Sequence, residues 1–188
     1  MLSNAWSSLS PSYRELNNIE STLAKATLSG PADYDAWIKQ VTMFHLVTEG
    51  VLAYHGQRML TNTLQKSGRL PGITRGFLAM GRDEARHVSF GLEMLRVALK
   101  EGRQDEILHT LELILPYAVT VDYQDPDMPA RDWRTALHTR RQLLEAANRR
   151  MRQIGLDRET ANAVTADADR RADDVLVSFG FGLVGANQ

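Results

Sequence analysis

Three side chains of this 188-residue chain have the types and spacing that would hold a metal ion. Glu84 and His87 stand three residues apart in a segment with the apolar periodicity of a long helix. Positions i and i+3 share one helical face with Cβ atoms about 5–6 Å apart, so both side chains can reach one ion. The chain has no cysteine, which excludes disulfides, zinc–thiolate sites and iron–sulfur clusters. Carboxylates and imidazoles are therefore its candidate ligands.

Glu49 is the third candidate ligand, because it lies in an apolar stretch of the preceding predicted helix. A carboxylate there needs a partner, since an unpaired buried charge costs several kcal/mol or neutralises itself. A turn over Ser67–Gly72 is predicted to join the two helices. Counted from about position 69, Glu49 lies about 30 Å back and Glu84 about 23 Å forward, so an antiparallel hairpin roughly levels them. Glu49, Glu84 and His87 are thus predicted to share one metal site.

The hydrophobic periodicity predicts an all-α chain with one domain, no strand and no internal repeat. Asp33 and Asp157 are predicted N-caps, and Ser29–Pro31 is predicted to end the first helix. We expect residues 11–100 to form a core hairpin region carrying the ligands, residues 104–177 to be peripheral helices, and residues 178–188 to be an irregular tail. The predicted helices span about residues 11–28, 33–66, 73–100, 106–121, 131–154 and 158–177.

The composition excludes several classes of protein. With 43% hydrophobic and 24% charged residues, the chain can bury a sizeable core. A net charge of −1 argues against a nucleic-acid-binding protein, which needs a strongly basic face. Neither a signal peptide nor an apolar run long enough to span a membrane is evident. We therefore expect a soluble, cytoplasmic protein.

Two stretches of the sequence resemble the small subunit of class I ribonucleotide reductase. The first runs from Phe44 to Ala53 and the second from Asp83 to Gly91, and together they contain all three candidate ligands. The chain is similar in particular to the ligand-binding oxidases that share the small subunit's fold. Those oxidases carry a mixed manganese/iron centre and a bound long-chain fatty acid. The resemblance covers about residues 13–99 and extends more weakly to residue 155.

The resemblance implies a ferritin-like four-helix bundle, of which this chain supplies the C-terminal part. It implies that Glu49 is the single carboxylate ligand of one bundle helix and that Glu84 and His87 are the ligand pair of the next. Asp83 corresponds to an aspartate that orients a ligating histidine, a role that fixes the imidazole tautomer. His45, one turn before Glu49, could add a further ligand or a supporting donor, but we prefer to interpret it as a satisfied core histidine. The implied function is O2 activation at a dinuclear iron or manganese centre, to generate a radical or oxidise a bound ligand.

The sequence departs from that family in two places. The family's first Glu and first Glu-x-x-His would fall before Met1, so we expect a chain shortened at its N-terminus. The only other Glu-x-x-His here, Glu106 to His109, lies on a helix expected to be peripheral, and we interpret it as coincidence. Phe44 replaces a tyrosine that the oxidases cross-link to a valine, so that cross-link cannot form without a phenol.

Three functions are compatible with half of a ligand set. The chain can be an N-terminally shortened form of an oxidase whose full-length protein carries the other Glu and the other Glu-x-x-His upstream. Two copies related by a two-fold axis would instead supply four Glu and two His, the ligand set of a di-metal bundle. The chain can also be a non-catalytic remnant that serves as a helical scaffold. An apolar face left open along the hairpin predicts association in each case, most simply a homodimer. No docking tail for a reductase large subunit is evident.

Charged residues outside these motifs have simpler interpretations. A cluster of five arginines is predicted to form a solvated helix face paired with Glu145 and Asp157. His55, His109 and His138 are predicted to be ordinary, partly exposed residues. The arginines of the cluster are Arg140, Arg141, Arg149, Arg150 and Arg152.

Overall fold

The computed structural model describes residues 8–28 and 33–182, and in these ranges the chain is helical with no strand. The predicted all-α class is confirmed, and the helix boundaries lie close to those predicted. The elements are α1 (Pro11–Leu28), α2 (Tyr34–Val41), a π-helical segment (Thr42–Ala53), α3 (Tyr54–Ser67), α4 (Pro71–Lys100), α5 (Gln104–Ala118), α6 (Ala130–Ile154) and α7 (Arg158–Ser178).

Two helices begin at the aspartates predicted as N-caps. The Asp33 carboxylate accepts the backbone N–H of Ala36 at 3.1 Å, and the Asp157 carboxylate accepts that of Thr160 at 2.8 Å. Each bond satisfies a donor that the first helical turn would otherwise leave unpaired. At the C-terminal end of α6, Gly155 adopts a left-handed conformation with φ 111°, and the helix ends there. The predicted end of α1 at Ser29–Pro31 lies outside the described residues.

The π-helical segment is the main departure from the predicted secondary structure. Residues 34–67 form one continuous helical run, as predicted, but the central twelve residues, Thr42–Ala53, are π-helical. Hydrophobic periodicity does not separate the two helix types, so the sequence pattern predicted an α-helix throughout. π-Helical turns are uncommon and occur frequently at functional sites. This one contains Glu49 and His45.

The core lies where the π-helical segment packs against the C-terminal half of α4 and against α5 and α6. α7 covers α5 and α6 with a stripe of buried alanines at 161, 168 and 172, which allows close helix approach. The helices after residue 104 therefore supply much of the core, and the expectation that they are peripheral was wrong. The largest fully buried side chains include Ile38, Met43, Leu46, Leu95, Ile107, Leu111, Ile114, Leu115, Leu143, Met151 and Ile154.

Residues 54–87 form what we call the arm, comprising α3, the turn after it and the first half of α4. α3 packs against α4, but no residue of the arm is buried. The C-terminal helices cover the π-helical segment and leave the arm open. The predicted exposed apolar face is thus present in this chain. Its exposed apolar residues include Met59, Leu60, Leu70, Ile73, Leu78 and Met80.

A smaller aromatic cluster closes the end of the fold near the tail. Phe181 is 3% exposed and packs edge-on against Tyr123 and Trp133, with ring centroids 6.2 and 5.8 Å away. Residues 179–182 thus follow α7 as an irregular, partly buried segment; the rest of the predicted tail lies outside the described residues. None of the described helices is long and apolar enough to cross a membrane.

Candidate metal site

The structure brings the three candidate ligands together where the arm meets the core. Donor atoms of Glu49, Glu84 and His87 all lie within 4.8 Å of one another. His87 Nδ1 is 3.3 Å from Glu84 Oε2 and 3.8 Å from Glu49 Oε1. The hairpin register predicted from the sequence therefore levels Glu49 with the Glu84 and His87 pair. Metal binding by these residues stays a prediction.

The site is buried on one side and open on the other. The exposed fraction of the side chain is 9% for Glu49, 27% for Glu84 and 63% for His87. Glu49 therefore projects from the core, while His87 faces outward from α4. An ion held by these three residues would keep coordination positions on the exposed side. A ligand set of this kind is open to water, to a substrate or to residues of another chain.

His45 forms a hydrogen bond with the Glu49 carboxylate. Its Nδ1 lies 2.6 Å from Glu49 Oε2, one turn along the π-helical segment. This bond leaves Glu49 Oε1 directed toward His87. This contact is compatible both with a supporting role for His45 and with a satisfied histidine, and its role at a metal site stays a prediction. A partner of this kind fixes the orientation of a metal ligand.

Gly91 of α4 makes this arrangement sterically possible. It is buried against His45 with no side chain between them, and an ideal Cβ at this position would overlap the Cβ and ring of His45. The close approach of α4 to the π-helical segment therefore depends on glycine at this position. Gly91 belongs to the motif that resembled the oxidases, although its packing role was not predicted.

The donor set and spacing fit a divalent transition-metal ion. Metal–oxygen and metal–nitrogen bonds of about 2.0–2.2 Å place donors around one ion about 3–4 Å apart. The two distances from His87 fall in that range, and the donor atoms of Glu49 and Glu84 lie within 4.8 Å of each other. Two carboxylates and one imidazole suit iron and manganese.

Asp83 does not orient His87 in this chain. Its carboxylate forms an ion pair with the Arg86 guanidinium one turn along α4, and both side chains are more than half exposed. The expectation from the resemblance is therefore not met within one chain, because a nearer cation pairs with Asp83. Glu106 and His109, interpreted as a coincidental pair, lie apart from the site: Glu106 binds Arg103 at 3.1 Å and His109 is exposed.

Glu20 of α1 is a carboxylate near the site that the sequence analysis missed. Burial raises the pKa of Glu20, and the negative charge of Glu49 raises it further. α1 therefore carries a second partly buried carboxylate within electrostatic range of Glu49. The signal was available: Glu20 follows Leu16 by four residues and precedes Leu23 by three, on the apolar face of the predicted helix.

A groove of about 670 Å³ lies beside the π-helical segment, between the start of α1 and α6. Two buried polar atoms in its wall, Thr48 Oγ1 and His55 Nε2, have no hydrogen-bond partner among the described residues. Burial lowers the pKa of His55, which favours the uncharged ring. The groove therefore has a mainly apolar wall, and the two unpartnered polar atoms are buried in residues of that wall. Its apolar lining includes Leu52, Met59, Leu60, Val121 and Leu143.

No protein-family model matches this chain, and no solved structure matches it.

Proposed function

We propose that Glu49, Glu84 and His87 bind iron or manganese and that the protein is an O2-activating oxidase of the ferritin-like, ribonucleotide-reductase small-subunit type. The observation that carries the proposal is the convergence of three donor atoms within 4.8 Å where the arm meets the core. The resemblance of residues 44–53 and 83–91 to that family supports the assignment of reaction class. When bound, a dinuclear centre of this class supplies the electrons that reduce O2.

The roles of the chain's own residues follow from their environment. Glu49 is the anchored ligand, since it is buried and its second oxygen is held by His45 at 2.6 Å. Glu84 and His87 are the ligands on the solvent-exposed side of the site. His45 is a positioning residue, because it acts through Glu49.

Replacing Glu84 with alanine is expected to abolish manganese(II) binding to the metal-depleted protein. Loss of one of two carboxylate ligands leaves Glu49 and His87, and we expect the affinity to fall by at least about 100-fold, beyond the 10–100-fold typical of supporting residues. Isothermal titration calorimetry measures the affinity directly. Glu93→Ala is the matched control, because Glu93 is an exposed glutamate of the same helix that pairs with Arg96. Equal affinities of wild type and Glu84→Ala would contradict the proposal.

We propose further that a second copy of this chain completes the site. Each chain offers two carboxylates and one imidazole, so two copies supply four carboxylates and two histidines, as di-metal bundles require. The open side of the site and the exposed apolar residues of the arm lie on the same hairpin. Pairing two arms about a two-fold axis would bury both features together. In that assembly Asp83 is available to His87 of the other copy.

Introducing a charge on the arm is expected to break this assembly. Leu78→Glu places a carboxylate among apolar side chains that pairing would bury, so the dimer should dissociate to monomer. Size-exclusion chromatography with light scattering measures the mass. Leu113→Glu on α5 is the matched control, since Leu113 is 40% exposed and Leu78 is 41% exposed. A wild-type protein that is already monomeric would contradict the two-chain site.

The bound ligand implied by the resemblance is a long-chain fatty acid, and the groove beside the π-helical segment supports this part of the proposal. Its apolar wall suits an acyl chain. Mass spectrometry of organic extracts of the purified protein should detect a fatty acid in amounts comparable to the protein. Extracts without one would contradict a resident acyl ligand and leave the metal site untouched.

A non-catalytic scaffold is the alternative. The exposed arm supports it, because an apolar helical hairpin is also a suitable surface for binding a partner. The manganese titration separates the two functions, since a scaffold does not need affinity for metal.

A further inference from the structure

Arg150 of α6 is a partly buried cation without an anionic partner. Its Nε donates to the Gly50 carbonyl at 3.0 Å and its Nη1 to Gln153 Oε1 at 2.9 Å, and its guanidinium lies 5.3 Å from the centre of the Tyr54 ring. Among the described residues, no carboxylate forms an ion pair with it. Burial lowers the pKa of Arg150, Tyr54 opposes this, and the charge of Arg149 lowers it further. Buried charges are normally paired with an opposite charge. The partly buried guanidinium of Arg150 departs from this rule.

Arg150 faces a cavity of about 590 Å³ between α3 and α6. Arg58 from α3 and Arg149 from α6 line the same cavity, so three arginines contribute to its wall. Glu145 is the one carboxylate among the residues that line it, and its Oε2 is 3.8 Å from Arg149 Nη1. The Glu145 side chain is 71% exposed, and its ion pair with Arg149 is therefore weak. The lining carries a net positive charge.

This cluster differs from the predicted solvated face. Arg149 does pair with Glu145, as predicted, but Asp157 caps α7 and Arg140 is buried between two aspartates of α7. Arg150 is drawn inward by the Gly50 carbonyl. The arginines of α6 therefore have distinct environments. Arg149 and Arg150 line the same cavity as Arg58 of the arm.

We propose that this cavity binds a small organic oxyanion, a phosphate ester or a carboxylate, through Arg58, Arg149 and Arg150. A guanidinium presents a planar fork of N–H donors that matches the oxygens of both groups. The volume is that of a small-molecule site and exceeds what one charged group fills. Neutral polar side chains in the lining are available for the rest of the ligand. They are Tyr54, Asn62, Gln142 and Gln153.

The bound anion would also stabilise the π-helical segment. Arg150 donates to the carbonyl of Gly50, and a bound negative charge would offset the burial and the charge of Arg149 that lower the Arg150 pKa. The arm would gain a link to α6 as well, since Arg58 belongs to α3 and Arg149 to α6. The effect does not depend on metal binding, because none of the three arginines belongs to the candidate metal site.

The proposal is tested by titrating the whole chain with inorganic phosphate and, separately, with citrate, in chloride buffer of constant ionic strength. Isothermal titration calorimetry should give saturable binding of at least one anion at a Kd below about 1 mM, which corresponds to about −4 kcal/mol. Binding of phosphate alone identifies the phosphate class, and binding of citrate alone identifies the carboxylate class. Absence of saturable binding of both anions would overturn the proposal.

Variants then locate the binding. Arg58→Gln and Arg149→Gln should each weaken binding about tenfold, the typical effect of losing one charge-assisted contact. Both side chains are exposed and leave the core intact. Arg152→Gln is the control, because Arg152 is an exposed arginine of α6 outside the cavity lining, and its affinity should stay within about twofold. Equal losses in all three variants would mean binding to net charge only and would overturn the site.

Discussion

Replacing Gly91 with alanine is expected to destabilise the protein and to weaken metal binding at the same time. The new methyl group would overlap the Cβ and ring of His45, so α4 and the π-helical segment must separate. Overpacking of this kind costs about 1–3 kcal/mol. His45 holds Glu49 Oε2, and its displacement should lower metal affinity about 10–100-fold, as for other supporting residues.

Gly76→Ala on the same helix is the matched control. An ideal Cβ at Gly76 has no atom within 4 Å, so alanine there should raise stability by about 0.5–1 kcal/mol through its better helix propensity. Thermal unfolding and manganese titration of the two variants separate packing at His45 from a general effect of alanine in α4. A Gly91→Ala protein with wild-type stability and metal affinity would contradict the close contact described here.

Replacing Arg140 with leucine is expected to lower stability by about 2–3 kcal/mol without changing metal binding. The Arg140 side chain is 7% exposed; its Nε bonds Asp169 at 2.6 Å, its Nη1 bonds Asp173 at 2.7 Å, and its Nη2 bonds the Asp169 carbonyl. Both aspartate side chains are about half exposed and stay hydrated, which limits the cost. For a chain of this size the loss corresponds to about 5–10 °C in Tm.

Two further variants check that result. Arg140→Lys keeps the charge but loses the planar fork, so its Tm should fall between those of wild type and Arg140→Leu. Arg141→Leu, at the exposed neighbouring position, should change stability by no more than about 0.5 kcal/mol. Differential scanning calorimetry measures all three proteins. An unchanged Tm for Arg140→Leu would show that the bonds from α6 to α7 contribute little.

Local sequence signals predicted the helices well, because the start and end of each helix depend on residues that are close together in the sequence. The N-caps at Asp33 and Asp157 and the left-handed end at Gly155 follow from the residue at one position. The hairpin register followed from counting residues in two helices of constant rise. These rules placed Glu49 beside Glu84 without any knowledge of the tertiary fold.

Features that depended on contacts between distant segments were not predicted. The π-helical hydrogen bonding of Thr42–Ala53 has the same apolar pattern as an α-helix. The partners of Arg140 lie on α7, about 30 residues further along the chain, and those of Arg150 include a carbonyl of the π-helical segment. The expected division into a core hairpin at residues 11–100 and peripheral helices at residues 104–177 also differs from the structure, because α5 and α6 pack against the π-helical segment.

We propose that two copies of this chain assemble one di-metal site. Native mass spectrometry of protein purified from medium supplemented with iron and manganese measures both the mass and the metal content of the assembly. We predict a dimer with about two metal ions, about one per chain. Under denaturing conditions the dimer should separate into single chains without bound metal. A metal-free monomer would contradict the account and would leave Glu49, Glu84 and His87 as a hydrogen-bonded cluster on a helical scaffold.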